Sequence, residues 1–424
     1  MDNQAISRRN FIKASGMAGA IFSLGFYGST DAKAVQIVKA ANYGVPLNAW
    51  VHIDTSGKVT IFSHRAEMGQ GAYQAIPQIV AEELEVNLHE VNVVFAQGDN
   101  QKYGNQVTGG SSTVRGSYKN LLKLSATARE MLIQAAATQW KVPQTECYAE
   151  GGQVIHKPSG KKIHYGALVE AAAKLETPQN VVLKKRSEYK LIGKPLLRLD
   201  TPLKTNGTAV FGLDKEIPGM LHAAVERNPR LRGKVKSYDA TAALKVPGVL
   251  KVLKVKMGVF STYREGVAVV ANSTWAAMQG KKALKVEWDD TGFTHLNTAE
   301  IYKQQAKALQ TEEGLPFKVQ GEANAIIEKA TQKIDVLYET PYQYHACMEP
   351  LNCIAHYQDD KLEIWGPIQA PEWVQDYISK EMALPREKVI VNMTFLGGGF
   401  GRKAFMDYPH EASVLSKEMK APVQ

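Results

Sequence analysis

The chain has 424 residues, of which 44% are hydrophobic and 22% charged, and this composition excludes a disordered or fibrous protein. Its net charge of +9 is mild, and no basic stripe interleaves with aromatic residues, which argues against nucleic-acid binding. A mildly basic surface suits an anionic cofactor or an acidic partner subunit equally well. The three cysteines, none in a CxxC pair, exclude a self-contained four-cysteine iron–sulfur cluster.

The N-terminus has the layout of a twin-arginine export signal. Arg8 and Arg9 precede a weakly apolar stretch over residues 14–27, and a small-x-small site follows for cleavage after Ala34. An amphipathic helix with an accidental arginine pair is the alternative. The apolar stretch is shorter than the roughly 20 residues that cross a bilayer. We therefore expect residues 1–34 to be a signal peptide and the mature protein to be periplasmic, exported in its folded state.

Short strands and helices alternate up to about residue 176, and a polar stretch over 177–204 follows as a linker. Pro77 is acceptable only in the first turn of its helix. Hydrophobic periodicity and turn residues predict strands over 50–54, 59–62, 91–95, 153–156 and 161–164, and helices over 75–84, 118–140 and 166–174. The turn residues Ser56-Gly57 predict that the first two strands form a hairpin, and the apolar spacing from Leu121 to Ala135 marks a buried face of the 118–140 helix.

Beyond the linker, strands and short helices indicate the α+β class. Residues 227–236 are expected to form a loop, and Cys347 and Cys353 to be buried free thiols rather than a disulfide. The patterns predict strands over 220–225, 249–255, 266–271, 286–288, 334–338, 353–357, 362–365 and 389–392, and helices over 239–244, 274–283, 299–309, 371–382 and 407–419.

Two glycine-bearing loops in the first part of the chain are candidate ligand sites. Around Gln70, Gly69 and Gly71 let backbone N–H groups approach a ligand closely, although a tight strand-to-helix turn explains the same residues. The second loop precedes the 118–140 helix, where small and hydroxyl residues predict a phosphate site, an N-cap with a flexible lead-in being the alternative. It consists of Thr108, Gly109, Gly110, Ser111, Ser112 and Thr113.

The third loop, Gly397–Lys403 (GGGFGRK), lacks the pattern of a phosphate-binding P-loop. Its single aromatic residue, Phe400, suggests a ring presented to a bound group rather than a plain turn.

This loop resembles the GGGFG loop of the xanthine oxidase family of molybdenum hydroxylases. Other segments agree with that family in a consistent order. A cofactor-binding segment placed before the α/β-hammerhead is typical of the isoquinoline 1-oxidoreductase beta-subunit branch, which also carries twin-arginine signals. The matching segments are YHACMEP at 344–350, GPIQ at 366–369, the hammerhead start at 198–219, and MGQG with TGGSST within 48–140.

The resemblance implies an α+β fold in which an α/β-hammerhead domain joins incomplete molybdopterin-binding α+β domains. The expected division is a permuted molybdopterin-binding segment over 35–176, the linker over 177–204, the hammerhead over 205–295, and the first part of the molybdenum cofactor-binding domain over 296–424.

The implied cofactor is molybdopterin cytosine dinucleotide with molybdenum, whose metal takes its ligands from the pterin dithiolene and none directly from the protein. Gly69, Gln70 and Gly71 would contact the pterin dinucleotide, and Thr108 to Thr113 its phosphates. Gln369, Phe400 and Gly401 would lie near molybdenum, and the remaining contacts would come from Gly398, Gly399 and Arg402.

The implied activity is the oxidation of an N-heteroaromatic ring or an aldehyde with water as the oxygen source. Electrons would pass to a small [2Fe–2S] subunit, the iron–sulfur clusters being only on that partner, with a c-type cytochrome as a further acceptor. Ala404 stands where purine-hydroxylating relatives carry a substrate-binding Glu, so purines are not expected.

The catalytic Glu of the family is expected to be absent, because relatives continue well past the position of Gln424. Neither Glu67 nor Glu349 matches its motif, and Glu349 is expected to be structural. Three hypotheses stay open. A second chain supplies the C-terminal half; the chain is a truncated, non-catalytic remnant that cannot hold cofactor alone; or it is a pterin-carrying binding module.

Overall fold

The computed structural model describes residues 22–24, 50–230, 232–259, 262–292, 294, 297–311 and 314–424. The predicted export signal, with Arg8, Arg9 and the cleavage site after Ala34, lies outside these residues apart from 22–24. The described chain is an α+β structure, as predicted, because its helices and small sheets occur in mixed order. No helix within the described ranges is long and apolar enough to cross a membrane.

The N-terminal sheet contains β1 (Phe22–Leu24), β2 (Val51–Ile53), β3 (Val59–Ser63) and β4 (Asn92–Phe95), in that order. β2 and β3 form the predicted antiparallel hairpin, and β4 lies parallel to β3. Helix α1 (Ala72–Leu84) makes the connection between the parallel pair. It begins three residues before the predicted start, which moves Pro77 from the first turn to the second.

The long helix is the centre of the first hydrophobic core. α3 (Ser112–Trp140) follows the short α2 (Asn100–Tyr103) and packs against α1. Its predicted apolar face is buried, as a 3.6-residue period requires. β5 (Cys147–Glu150), which we did not predict, β6 (Gln153–His156), β7 (Lys162–His164) and α4 (Tyr165–Ala172) complete this part of the core.

Two adjacent buried glutamates hold the predicted linker against α1. Glu82 accepts hydrogen bonds from the main-chain N–H groups of residues 190–192 at 2.7–3.1 Å. Glu83 accepts from the N–H of Lys184 at 2.9 Å and pairs with Arg129. The stretch is therefore anchored by side chains of another element despite its polar composition.

The central part combines a three-stranded sheet, in the order β10 (Val249–Val259), β11 (Thr262–Ala271) and β8 (His222–Arg227), with a two-stranded ladder of β12 (Lys285–Asp289) and β9 (Lys234–Asp239), and all neighbours are antiparallel. The residues predicted as a loop over 227–236 in fact contain the start of a strand, because 234–239 pairs with 285–289. The elements are α5 (Thr201–Thr205), β8 (His222–Arg227), β9 (Lys234–Asp239), α6 (Thr241–Leu244), β10 (Val249–Val259), β11 (Thr262–Ala271), α7 (Thr274–Ala283) and β12 (Lys285–Asp289).

The last part has its own core between a sheet and two helices. β13 (Ile354–Gln358) and β14 (Lys361–Gly366) are antiparallel, and β15 (Val389–Met393) is parallel to β14. Because parallel neighbours need a crossover, α10 (Pro371–Glu381) connects them. α11 (Asp407–Met419) follows the third glycine loop. Short 3₁₀ helices lie at Leu88–Glu90, Gln144–Glu146, Arg186–Glu188, Arg386–Lys388 and Arg402–Ala404.

The predicted strand over 334–338 is wrong. The segment lies in an exposed stretch after α8 (Thr298–Thr311) and α9 (Ala323–Lys329), two helices without buried residues. Its apolar and aromatic side chains suit a strand, but within the described ranges no neighbouring strand pairs with it. Ile334 is 91% exposed and Tyr338 86%. A strand requires a hydrogen-bonding partner, which sequence pattern alone does not supply.

All three cysteines are free thiols. Cys353 is buried, as expected, and Cys347 is half-buried. Burial raises the pKa of the Cys353 thiol, which keeps it protonated.

Candidate functional site

The second and third glycine loops meet at the buried side chain of Gln369. Its Nε2 donates to the Thr108 carbonyl oxygen at 2.8 Å, and its Oε1 accepts from the Gly401 N–H at 3.1 Å. The Thr108 N–H donates to the Gln369 carbonyl oxygen at 2.8 Å. The first loop joins through the Ala66 N–H, which donates to the Thr108 hydroxyl at 2.9 Å. Three segments that are distant in sequence thus form one hydrogen-bonded site.

The first loop is organised around the carboxylate of Glu67, whose side chain is fully buried. Glu67 accepts from the N–H groups of Gly69 at 2.8 Å and Gly71 at 3.2 Å. Gln70 closes the loop, donating to the Ala66 carbonyl oxygen at 2.8 Å. We expected these N–H groups to face a ligand, whereas both donate to the carboxylate of Glu67 within the same loop. The assignment of these three residues as cofactor contacts stays a prediction.

The second loop leads directly into α3, which begins at Ser112 rather than at 118 as predicted. Gly110 and Ser111 have left-handed φ values of 56° and 54°, and this turn exposes Gly109, Gly110 and Ser111. The first N–H groups of a helix have no partner within it, and the helix dipole adds positive potential there. Arg115 adds a cation, its Nη2 donating to the Gly110 carbonyl oxygen at 3.3 Å. The arrangement suits a phosphate group.

The third loop has a tightly packed base and an exposed tip. A Cβ atom on Gly399 would lie 2.5 Å from Gln369 Oε1 and 2.8 Å from Met68 Sδ, so only glycine fits between these side chains. Phe400 is 68% exposed and has a φ of 50°, an uncommon value for a bulky residue. Such strain is found where a loop presents a side chain to a ligand.

Charged side chains fix the end of the third loop. Arg402 forms a two-pronged ion pair with Asp407 at 2.9 and 2.6 Å, so its guanidinium is already engaged. Lys403, fully buried, donates to Glu349 at 2.7 Å. Glu349 also accepts from the N–H of Gly397 at 2.8 Å. Glu349 is therefore a structural carboxylate, as its burial and hydrogen bonds indicate.

Sequence inspection missed the groups that hold the loops from a distance. Arg198 donates to Glu67 at 3.0 Å and to the Gly69 carbonyl oxygen at 3.0 Å. Burial opposes ionisation of the neighbouring Asp200, yet hydrogen bonds from Arg198 and Lys204 lower its pKa to about 2. Arg198 and Glu67 are 131 positions apart, and no local pattern links them.

The site can hold a flat group that carries phosphate. Phe400, next to the close-packed Gly399, offers an exposed aromatic ring, and the exposed N-terminus of α3 offers backbone N–H groups and the positive end of the helix dipole. The donors at the second loop therefore fit the phosphates of a nucleotide-bearing cofactor.

Comparison with known proteins finds family models and relatives that match most of the chain. Two family models, both described as molybdopterin cofactor-binding domain, match residues 3–236 and 306–424. Isoquinoline 1-oxidoreductase subunit beta of Brevundimonas diminuta is 29% identical over 98% of this chain and 59% of its own length. The membrane-bound aldehyde dehydrogenase [pyrroloquinoline-quinone] of Gluconacetobacter polyoxogenes is 29% identical over 99% of this chain and 55% of its own.

The chain thus spans little more than half the length of these curated relatives. Among solved structures, quinoline 2-oxidoreductase from Pseudomonas putida 86 is 22% identical with a TM-score of 0.44, over 57% of this chain and 34% of that one.

Proposed function

Because this chain belongs to the molybdopterin cofactor-binding domain family, we propose that it is the cofactor-binding part of a molybdenum hydroxylase. The proposed substrates are an N-heteroaromatic ring or an aldehyde, as the names of the two relatives suggest. Water supplies the oxygen in this proposal, and electrons leave to a small [2Fe–2S] subunit and then a c-type cytochrome.

The observation that carries the proposal is the single hydrogen-bonded site formed by Thr108, Gln369 and Gly401. One end of this site exposes a helix N-terminus that suits phosphate, and the other end carries the close-packed Gly399 and the exposed ring of Phe400. A molybdopterin dinucleotide has phosphates between its nucleotide and pterin ends, so it could use both ends at once. The cytosine dinucleotide is the form we propose.

When bound, this cofactor supplies the redox centre for substrate oxidation. The protein's own groups bind and orient it. The N–H groups at the start of α3, with the hydroxyl of Ser111 or Thr113, would hold the phosphates. Phe400 would cover one side of the metal end, and Gln369, already fixed by Thr108 and Gly401, would supply an amide donor there.

Neither Glu67 nor Glu349, the carboxylates that hold the first and third loops, is free to act as a general base. Glu67 is occupied by loop N–H groups and Arg198, and Glu349 by Lys403 and the Gly397 N–H. We therefore propose that the proton-accepting Glu of the reaction is supplied by further polypeptide.

The exposed apolar stretch over residues 314–348 supports a partner of that kind. Its large apolar side chains are exposed to solvent, and a run of exposed apolar residues along one segment is typical of an interaction site. Those with the greatest exposure are Leu315, Phe317, Ile334, Tyr338, Tyr344 and Met348. Polypeptide equivalent to the rest of the longer relatives is the proposed cover. Because Arg8 and Arg9 fit a twin-arginine signal, we propose that the assembly is periplasmic.

The proposal is tested by the molybdenum and cytosine-nucleotide content of the purified chain, from cells that make the cofactor and from cells that do not. Near-stoichiometric amounts of both, only in the first cells, are expected. Ser111→Glu, which places a carboxylate at the start of α3, should lower both about fivefold or more by charge repulsion. The exposed Ser187→Glu is the matched control and should change neither. No metal in any preparation would leave a remnant that folds without cofactor.

A further inference from the structure

Two buried charged side chains bind the backbone that leads into the second glycine loop. Arg65 donates through Nη1 to the Val107 carbonyl oxygen. Glu372 accepts through Oε1 from the Gln106 N–H at 2.9 Å. Arg65 is 4% exposed and Glu372 2%, so neither reaches the surface where a ligand would bind.

The two side chains belong to the elements that carry the other parts of the site. Arg65 follows β3 and precedes the first loop by two residues. Glu372 lies in the first turn of α10, three residues after Gln369. The residues between them, Gln106 to Thr108, lead directly to the exposed turn before α3. The two side chains therefore connect the segment before the second loop to the segment before the first loop and to the helix that follows Gln369.

Burying the charged groups of Arg65 and Glu372 costs free energy, which is unexpected if their role is stability alone. Within the described part of the chain, Arg65 Nε and Glu372 Oε2 are both inaccessible and without a hydrogen-bond partner. Burial raises the pKa of Glu372, while the Gln106 N–H and the charge of Arg65 act in the opposite direction. Apolar side chains would fill the same space at lower cost, and both charged groups bind the backbone at residues 106 and 107, which points to a demand on the position of that segment.

We propose that Arg65 and Glu372 are positioning residues that set the distance between the N-terminus of α3 and Gln369. They would thereby fix the separation at which the site holds the phosphate and metal ends of one cofactor. Gln106 and Thr108 are the intermediate groups, because one is bonded to Glu372 and the other to Gln369. This inference rests on the proposed function for its ligand, but the position of the loop can be measured without any ligand.

The test compares Glu372→Ala and Glu372→Gln by amide hydrogen exchange and by binding of cytidine diphosphate to the full chain. Alanine removes the acceptor of the Gln106 N–H, whereas glutamine keeps an acceptor oxygen at the same reach. Loss of one hydrogen bond to a charged group is expected to speed exchange over residues 106–113 about tenfold or more in the alanine variant. The exchange of α3 beyond Leu121 should be unchanged.

The affinity for cytidine diphosphate should fall about tenfold in Glu372→Ala, whereas Glu372→Gln should bind with an affinity close to that of the wild type. Glu381→Ala, an exposed change on the same helix, is the matched control and should alter neither measurement. If alanine prevents folding, Glu372→Asp keeps the charge while withdrawing it from the Gln106 N–H, and faster exchange over 106–113 is again expected.

Exchange over 106–113 that is the same in wild type and the folded Glu372 variants would overturn the inference. Loosening throughout the chain would also overturn it, since the residue would then serve general stability alone. If wild type does not bind cytidine diphosphate while the exchange result holds, the proposed function fails and the positioning of the loop stands.

Discussion

Replacing Lys403 by Met should destabilise the protein strongly, because it removes one partner of a buried ion pair and keeps the apolar stem. Lys403 is fully buried and the side chain of Glu349 is 6% exposed, with 2.7 Å between Nζ and Oε2. Breaking such a pair typically costs about 3–5 kcal/mol, since the remaining charge stays in a poorly solvating environment. The Glu349 carboxylate keeps the N–H groups of Gly212 and Gly397 at 2.8 Å, so we expect the lower end, about 3 kcal/mol.

Urea unfolding followed by circular dichroism measures this loss as a change in the free energy of unfolding. Lys361→Met is the matched control, because its pair with Glu363 is exposed and should contribute under about 1 kcal/mol. Adding Glu349→Gln to Lys403→Met removes the carboxylate charge that is left without its partner, so part of the lost free energy of unfolding should be restored. A double-mutant cycle of the two substitutions measures the interaction energy of the pair. A loss below about 1 kcal/mol for Lys403→Met, or no recovery in the double variant, would refute the reasoning.

Three further perturbations test other contacts. Gly399→Ala should lower the free energy of unfolding in urea by about 1–3 kcal/mol and lower the molybdenum content, because the new Cβ would collide with Gln369 and Met68. Gly314→Ala is the control, because a Cβ there meets open space. Equal losses in the two variants would count against the packing argument. Burial lowers the pKa of His64 to about 3, so the folded state disfavours the charged form of this side chain. The free energy of unfolding should therefore be retained above about pH 6.5 and fall by up to about 5 kcal/mol toward pH 3. The fall should be less steep in His64→Gln, and identical pH profiles for the two proteins would contradict this. Glu82→Ala should free the linker at residues 190–192 and speed its cleavage in limited proteolysis, whereas unchanged cleavage would show that other contacts anchor it.

Local pattern was sufficient for elements whose stability comes from their own periodicity. The apolar spacing from Leu121 to Ala135 predicts α3, and the turn residues Ser56-Gly57 predict the β2–β3 hairpin; both are present. The order of the glycine loops was enough to suggest the family, which the family models confirm. Residues 334–338 show where sequence pattern is insufficient, because a short apolar run is compatible with a strand but does not provide the strand that pairs with it.

The arrangement of the site was decided only by the tertiary structure. Gln369 and Thr108 are 261 positions apart, and Glu349 and Lys403 are 54 apart. Bonds over such separations depend on how whole elements pack, so no window of sequence contains them. The N–H groups of Gly69 and Gly71 illustrate the same point, since sequence shows that they can approach an acceptor but not that it is Glu67. Sequence thus determined which loops are flexible enough to form a site, and packing determined which of their groups remain free for a ligand.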